Sequence, residues 1–252
     1  MAEKAVLVVS FGTTHLDTLE KTIQPIEWDI AGQMPGRVQR RAFTSGMILR
    51  RLAEREGLRI DDVPQALERL AAEGCADVVL QPTHIMNGDE CDKLCTQAEP
   101  YRGRFRRMSF GRPLLTTLEL TAALMDLLPE AEEGTAHVFM GHGTEHYANA
   151  AYCQLEYMLH DQGRTDAVLG TVEGYPGLEE VFRRLGERRM VKKVVLHPLM
   201  VVAGDHAKND LAGDEPESWR SRLLARGYQV DCEQKGLGEY PQIRALFVRP
   251  AL

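Results

Sequence analysis

Val78-Val79-Leu80-Gln81-Pro82 returns 116 residues later as Val194-Val195-Leu196-His197-Pro198. Each is a short β-branched run closed by proline, the pattern of a strand buried in a parallel sheet. At the same offset Gly88-Asp89-Glu90 matches Gly204-Asp205-His206. Two shorter echoes fall in the same order: Phe11-Gly12-Thr13 with His142-Gly143-Thr144, and Thr44-Ser45-Gly46 with Val172-Glu173-Gly174. A repeat carried by strands and the turns after them predicts a duplicated four-strand lobe.

Working outward, strand-like runs occupy 5–10, 37–43, 77–82, 106–110, 136–140, 167–172, 193–199 and 229–233. Amphipathic stretches lie between them near 16–31, 46–56, 64–73, 90–101, 116–128, 147–161, 177–188, 216–226 and 240–247. Strands alternating with helices specify βαβ units and a mostly parallel sheet. The charged segment from Leu128 to Gly134 interrupts the pattern midway. The expected architecture is therefore α/β: two similar lobes, each a four-stranded mostly parallel sheet flanked by helices. The lobes are expected at residues 1–130 and 131–252, with a metal site in the second.

Composition narrows the function. The 252 residues are 44% hydrophobic and 27% charged, enough apolar material for a proper core. The net charge of -7 argues against a general nucleic-acid binder, which needs positive surface to displace counterions. Phe11-Gly12-Thr13-Thr14-His15 lacks the second and third glycines of a dinucleotide turn, and no P-loop occurs. No run reaches the roughly 18 apolar residues of a membrane span. Cys75, Cys91, Cys95, Cys153 and Cys232 are odd in number and lack CxxC spacing, so reduced thiols and a cytoplasmic setting are expected. Cys91 and Cys95 could share a helix face, but no further Cys or His lies near them in sequence.

Aligning the halves shows where they differ. Phe11 becomes His142, Ser45 becomes Glu173, and Glu90 becomes His206. All three second-half residues lie just past the carboxyl end of an expected strand, where open α/β sheets collect ligands. Two imidazoles and a carboxylate suit a borderline divalent ion such as Co²⁺, Fe²⁺, Ni²⁺ or Zn²⁺, with coordination positions left open. Each residue alone has a plainer reading, as a loop cap or a charge at a helix start. Their joint placement on three successive strand ends raises the site reading. His197 reads as a packed core residue and His146 and His160 as solvated. Tyr147, Tyr152 and Tyr157 recur at spacing five, which defines no helical stripe.

Gly141-His142-Gly143-Thr144, Thr171-Val172-Glu173-Gly174 and the run from Met200 to Asp210, with Gly204-Asp205-His206-Ala207 at its heart, resemble the anaerobic cobalt chelatases of cobalamin synthesis. So do Phe11-Gly12-Thr13-Thr14, the run from Gln81 to Glu90 and Gly111-Arg112-Pro113-Leu114-Leu115, in order along nearly the whole chain. The resemblance implies the class II chelatase fold and no organic cofactor. It implies a divalent metal, Co²⁺, as substrate beside a sirohydrochlorin-type tetrapyrrole, with His142, Glu173 and His206 binding the metal and assisting proton removal. Such a substrate carries many carboxylates, so loop N–H groups and a few cations should receive it. The candidates are Gly12, Thr13, Thr14, His84, Asn87 and Gly88, with Arg112 or Lys208 supplying charge. No nucleic acid or membrane partner is expected, and the family offers homo-oligomers. A ferrochelatase forming sirohaem or haem, and a non-catalytic tetrapyrrole or metal carrier, are the rival readings.

Overall fold

The computed structural model describes residues 3–188 and 190–248. The chain divides into two compact units. One runs to Thr117 and resumes at Gly238; the other is Leu118–Leu237. In the first, β1 (Glu3–Ser10), β2 (Arg37–Phe43), β3 (Cys75–Pro82) and β4 (Arg107–Phe110) form a sheet ordered β2-β1-β3-β4. In the second, β5 (Thr135–Gly141), β6 (Ala167–Thr171), β7 (Lys193–Pro198) and β8 (Gln229–Cys232) form one ordered β6-β5-β7-β8. The second order is the first shifted by four strands, and every pairing is parallel. The duplication read from Val78–Pro82 and Val194–Pro198 is thus a duplication of topology.

The helices follow from apolar faces and caps. In the first unit they are α1 (Leu16–Lys21), α2 (Ile23–Gln33), α3 (Gly46–Glu56), α4 (Val63–Ala72), α5 (Asp89–Ala98) and, near the C-terminus, α10 (Pro241–Val248). The second holds α6 (Leu118–Met125), α7 (Ala150–Asp161), α8 (Leu178–Glu187) and α9 (Trp219–Leu224). Ser45 caps α3 by accepting from the Ile48 N–H, and Asp62 with Gln65 forms a capping box on α4. Strand β1 is buried from Ala5 to Ser10 because it is the inner strand, covered on both faces. Leu7, Val9, Leu67, Leu70, Leu80 and Leu94 fill one core; Val138, Met140, Val181, Leu196, Leu211 and Trp219 belong to the other. Each such side chain contributes roughly 1.5–3 kcal/mol on burial.

Three expectations change. The division between units falls at Thr117/Leu118 instead of 130/131. Helix α6 buries Leu120, Leu124 and Met125 in the second unit, so the charged 128–134 stretch is only the loop from α6 to β5. The C-terminal helix belongs to the first unit: α10 buries Ile243, Leu246 and Phe247, and its Arg244 Nε donates to Asp29 of α2 at 2.6 Å. His197 lies on the sheet face opposite Val194 and Leu196; its Nε2 meets His137 Nδ1 at 2.7 Å and its ring stacks 5.1 Å from Phe139. Loss of hydration, with His137 beside it, holds its pKa down to about 4. His160 is half-buried and its Nε2 donates to the Ala167 carbonyl at 2.9 Å, tying α7 to β6, so it is not merely solvated. Among the described residues no helix is long and apolar enough to cross a membrane.

Candidate metal centre

In the second sheet, β5 is the strand at which the winding reverses: the chain leaves it to β6 on one side and returns to β7 on the other. The carboxyl ends of strands flanking such a reversal bound a crevice that side chains on the following loops can line. His142 follows β5 directly, Glu173 lies two residues beyond β6, and His206 follows the loop leaving β7. Neighbouring strands are about 4.8 Å apart, so loops from three adjacent ends can meet around one small ion.

Backbone contacts fix these loops. The Gly141 Cα stands against the Tyr152 ring, where a Cβ would come 2.5 Å from its carbons. At Gly143 φ is +83°, and a Cβ would meet the Gly174 backbone nitrogen at 2.6 Å. A side chain at Gly143 would push the His142 loop off the Glu173 loop, and one at Gly141 would collide with the Tyr152 ring. The His142 carbonyl accepts from the N–H groups of Val172 (3.1 Å) and Glu173 (2.8 Å), so the backbones of two candidate ligands are joined directly. Asn149 bridges the same loops, taking the Thr144 N–H at 3.1 Å and donating to the Tyr175 carbonyl at 2.6 Å. Thr171 closes the Glu173 loop through its N–H (2.6 Å) and hydroxyl (3.0 Å) to the Pro176 carbonyl. Helix α8 begins five residues later, capped by Gly177 and Glu180. Glu173 therefore does not charge a helix start, whereas its counterpart Ser45 is the cap of α3.

His206 opens a π-helical turn, His206–Leu211, in which the Ala212 N–H reaches back five residues to the Ala207 carbonyl at 3.2 Å. Such wide turns concentrate at functional sites because they re-aim side chains. Here His206 Nδ1 lies 2.7 Å from Asp210 Oδ2.

The three side chains meet. One donor atom from each of His142, Glu173 and His206 lies within 4.8 Å of the others. The imidazoles stand edge-to-face, centroids 4.7 Å apart at 89°, and Glu173 Oε2 is 3.8 Å from His142 Nδ1. Donors about 2.1 Å from an ion are at most about 4.2 Å apart, so small side-chain rotations suffice for binding. His142 Nδ1 lies 2.9 Å from the Gly143 carbonyl, an acceptor only. That nitrogen carries the proton and Nε2 keeps its lone pair. The side chains are 46%, 58% and 35% exposed, so a solute can reach them. Three protein donors leave coordination positions open, the arrangement of a site that exchanges ligands rather than one that is sealed.

The six other candidates belong to the first unit, beyond the ends of β1 and β3, which are adjacent strands. Gly12 has φ +101°, and Thr13 is buried with its hydroxyl accepting from the His15 N–H. Gly88 is the N-cap of α5 and Asn87 is exposed beside it. At His84 both ring nitrogens are shielded and find no partner among the described residues, and burial pushes the pKa down to about 4. Arg112 and Lys208 are exposed. Cys91 is buried, its thiol held up near 12 by desolvation, and it donates to the Met86 carbonyl; it takes no part in a metal cluster.

Two residues beside the cluster carry no signal in the spacing of strand ends. Tyr152 is buried with its ring against Gly141, and burial pushes its hydroxyl pKa up to about 12 while the neighbouring backbone of Gly143 and His142 pulls it down. Asp210 stands in the motif, but its contact with His206 needs helical winding at 206–211, where the sequence pattern marks no helix. His146 also has a structural role: its Nδ1 accepts from the Ala148 N–H.

Residues 4–250 match the model of one protein family, described as cobalt chelatase (CbiK). The chain belongs to this family. As a CbiK-family member it is a metal chelatase. It is 46% identical over 250 residues to a sirohydrochlorin cobaltochelatase of Salmonella typhimurium, covering 98% of this chain and 94% of that one. It is 35% identical over 249 residues to the sirohydrochlorin cobaltochelatase CbiKC of Nitratidesulfovibrio vulgaris, covering 95% and 86%. In fold, the CbiK-family chain superposes on SirB from Bacillus subtilis with Fe³⁺ at a TM-score of 0.68 and 14% identity, covering 98% of this chain and 94% of that one.

Proposed function

We propose that this chelatase inserts Co²⁺ into sirohydrochlorin, with His142, Glu173 and His206 as the residues that hold the metal and move protons. The observation carrying this reading is the meeting of three donor side chains at the strand reversal of the second sheet. Metallation releases two pyrrole N–H protons while four ring nitrogens replace the protein ligands. Neutral imidazoles suit that exchange: they bind a borderline ion, yet more weakly than thiolates or a tetradentate macrocycle. Glu173 adds negative charge beside the cation and, 3.8 Å from His142 Nδ1, can accept a proton as the ring loses it.

Substrate recognition is assigned to Gly12, Thr13, Thr14, His84, Asn87 and Gly88. Loop N–H groups can receive carboxylates there. The proposed reaction needs only its two substrates, with no organic cofactor, nucleic acid or membrane, and is compatible with a homo-oligomer. Free thiols at Cys75, Cys91, Cys95, Cys153 and Cys232 fit a cytoplasmic enzyme.

Anaerobic incubation with sirohydrochlorin and either Co²⁺ or Fe²⁺, followed by absorption, tests the proposal. Multiple turnovers with Co²⁺ support it. Turnover with Fe²⁺ alone would make the chain a ferrochelatase, and a shift that stops at one equivalent would make it a carrier.

A further inference from the structure

His206 and His142 present the same ring atom outward but are held by different partners. At His142 the Nδ1–H bonds a neutral acceptor, the Gly143 carbonyl, at 2.9 Å, while the Glu173 carboxylate stays beyond hydrogen-bonding distance at 3.8 Å. At His206 it faces a carboxylate, Asp210 Oδ2, at 2.7 Å. The two partners also differ in rigidity. The Gly143 carbonyl belongs to a loop pinned by Glu173, Gly174 and Tyr152. Asp210 comes from the same π turn that His206 opens, so its carboxylate and the ring move together on one short segment.

We infer that Asp210 is a positioning residue for metal capture: it fixes the His206 ring so that Nε2 faces the ion, and it makes this imidazole the stronger donor of the pair. Two physical arguments join here. A carboxylate behind an imidazole holds one tautomer and raises the electron density that the opposite nitrogen offers a metal. A charge-assisted N–H···O⁻ bond is about twice as strong as its neutral counterpart, so the His206 ring is held more firmly than a carbonyl could hold it. The winding supplies the geometry. The spacing of four residues puts position 210 on the same face of the turn as 206, at hydrogen-bonding distance from its Nδ1. The neighbouring acid, Glu173, cannot take this role, because its carboxylate approaches His142.

The consequence is a division between the imidazoles. His206, backed by charge, sets the affinity with which Co²⁺ is first held. His142, backed by a neutral carbonyl, is the weaker of the two and releases the ion more readily to the macrocycle. Loss of the Asp210 carboxylate should then weaken capture of the metal without altering how the tetrapyrrole is bound.

The inference rests on His206 being a metal ligand, so the test carries both. Co²⁺ alone is titrated anaerobically into the wild-type chain and the variants Asp210→Ala, Asp210→Asn and His206→Ala, following the visible bands of the bound ion. Turnover is measured with Co²⁺ and with sirohydrochlorin varied in turn. Asp210→Ala should weaken Co²⁺ binding by about 10–100-fold and raise the KM for Co²⁺ by a similar factor, with the KM for sirohydrochlorin unchanged. Asp210→Asn keeps an acceptor but no charge and should fall between Asp210→Ala and wild type. His206→Ala should abolish the bands. If it abolishes them while Asp210→Ala retains wild-type Co²⁺ affinity, Asp210 has no positioning role and the metal site stands. If His206→Ala itself binds Co²⁺ like wild type, the metal site is wrong. A rise in the KM for sirohydrochlorin alone, in either Asp210 variant, also overturns the inference.

Discussion

Replacing Tyr152 with Phe removes one oxygen and keeps the ring that fills the space beside Gly141. The lost hydroxyl is buried beside the backbone of His142 and Gly143, in a setting that raises its own pKa to about 12 through burial. A shielded polar group left without a partner costs about 1–3 kcal/mol. Removing this one buried polar group from beside the loop backbone, on a loop that water can partly reach, puts the cost at about 2 kcal/mol. For a chain of this size that lowers the melting temperature by about 4–8 °C. The same loop aims His142 and carries the carbonyl that holds its Nδ1, so the freed segment should also bind metal less well. A loss of one tenfold step corresponds to about 1.4 kcal/mol. Calorimetry together with anaerobic Co²⁺ titration of Tyr152→Phe measures both quantities. A variant that melts within a degree of wild type and binds Co²⁺ equally well would refute the idea that this hydroxyl anchors the loop.

Other perturbations follow from the same geometry. His142→Ala and His206→Ala should nearly abolish cobalt insertion while preserving the far-ultraviolet dichroism of the folded chain; near-normal turnover in either removes that residue from the mechanism. Glu173→Gln should slow insertion more than it weakens Co²⁺ binding, and equal losses would assign the carboxylate to ligation alone. Gly143→Ala forces a Cβ to within 2.6 Å of the Gly174 nitrogen at a positive φ, so it should cost at least about 2 kcal/mol and lower Co²⁺ affinity; a stable variant with full activity contradicts the close-approach argument. His197 is held near 4 in the fold and titrates near 6.5 when unfolded, so the unfolded chain binds more protons between those values. Stability should decline as pH falls from about 6.5 to 4, by up to about 3 kcal/mol from this group, and His197→Leu should flatten that part of a melting-temperature profile.

The strands were legible because their signal is local, whereas their order within each sheet was not. Runs such as Ala5–Ser10 and Val194–Pro198 carry β-branched, apolar residues that a two-sided parallel sheet requires, and the 116-residue echo exposed the duplication. The candidate ligands were legible for the same reason: the two sheets share a topology, so a His or Glu standing where the first lobe has Phe11, Ser45 or Glu90 marks altered chemistry on an unaltered scaffold. The unit boundary was hidden because 128–134 is polar for an ordinary reason, as a loop, while α6 and α10 choose their units through apolar faces. Asp210 and Tyr152 escaped notice because their roles are tertiary. One depends on helical winding at 206–211 that the sequence pattern does not mark, and the other on a phenol packed against the backbone of a neighbouring loop.

The central claim is that one ion sits among three side chains of the second unit. Anomalous scattering from crystals grown with Co²⁺, collected at the cobalt edge, addresses it directly. The account predicts a single strong peak about 2.1 Å from Nε2 of His142 and Nε2 of His206 and bonded to the Glu173 carboxylate. A peak beside Cys91 and Cys95, or none near His142 and His206 at saturating cobalt, would contradict it.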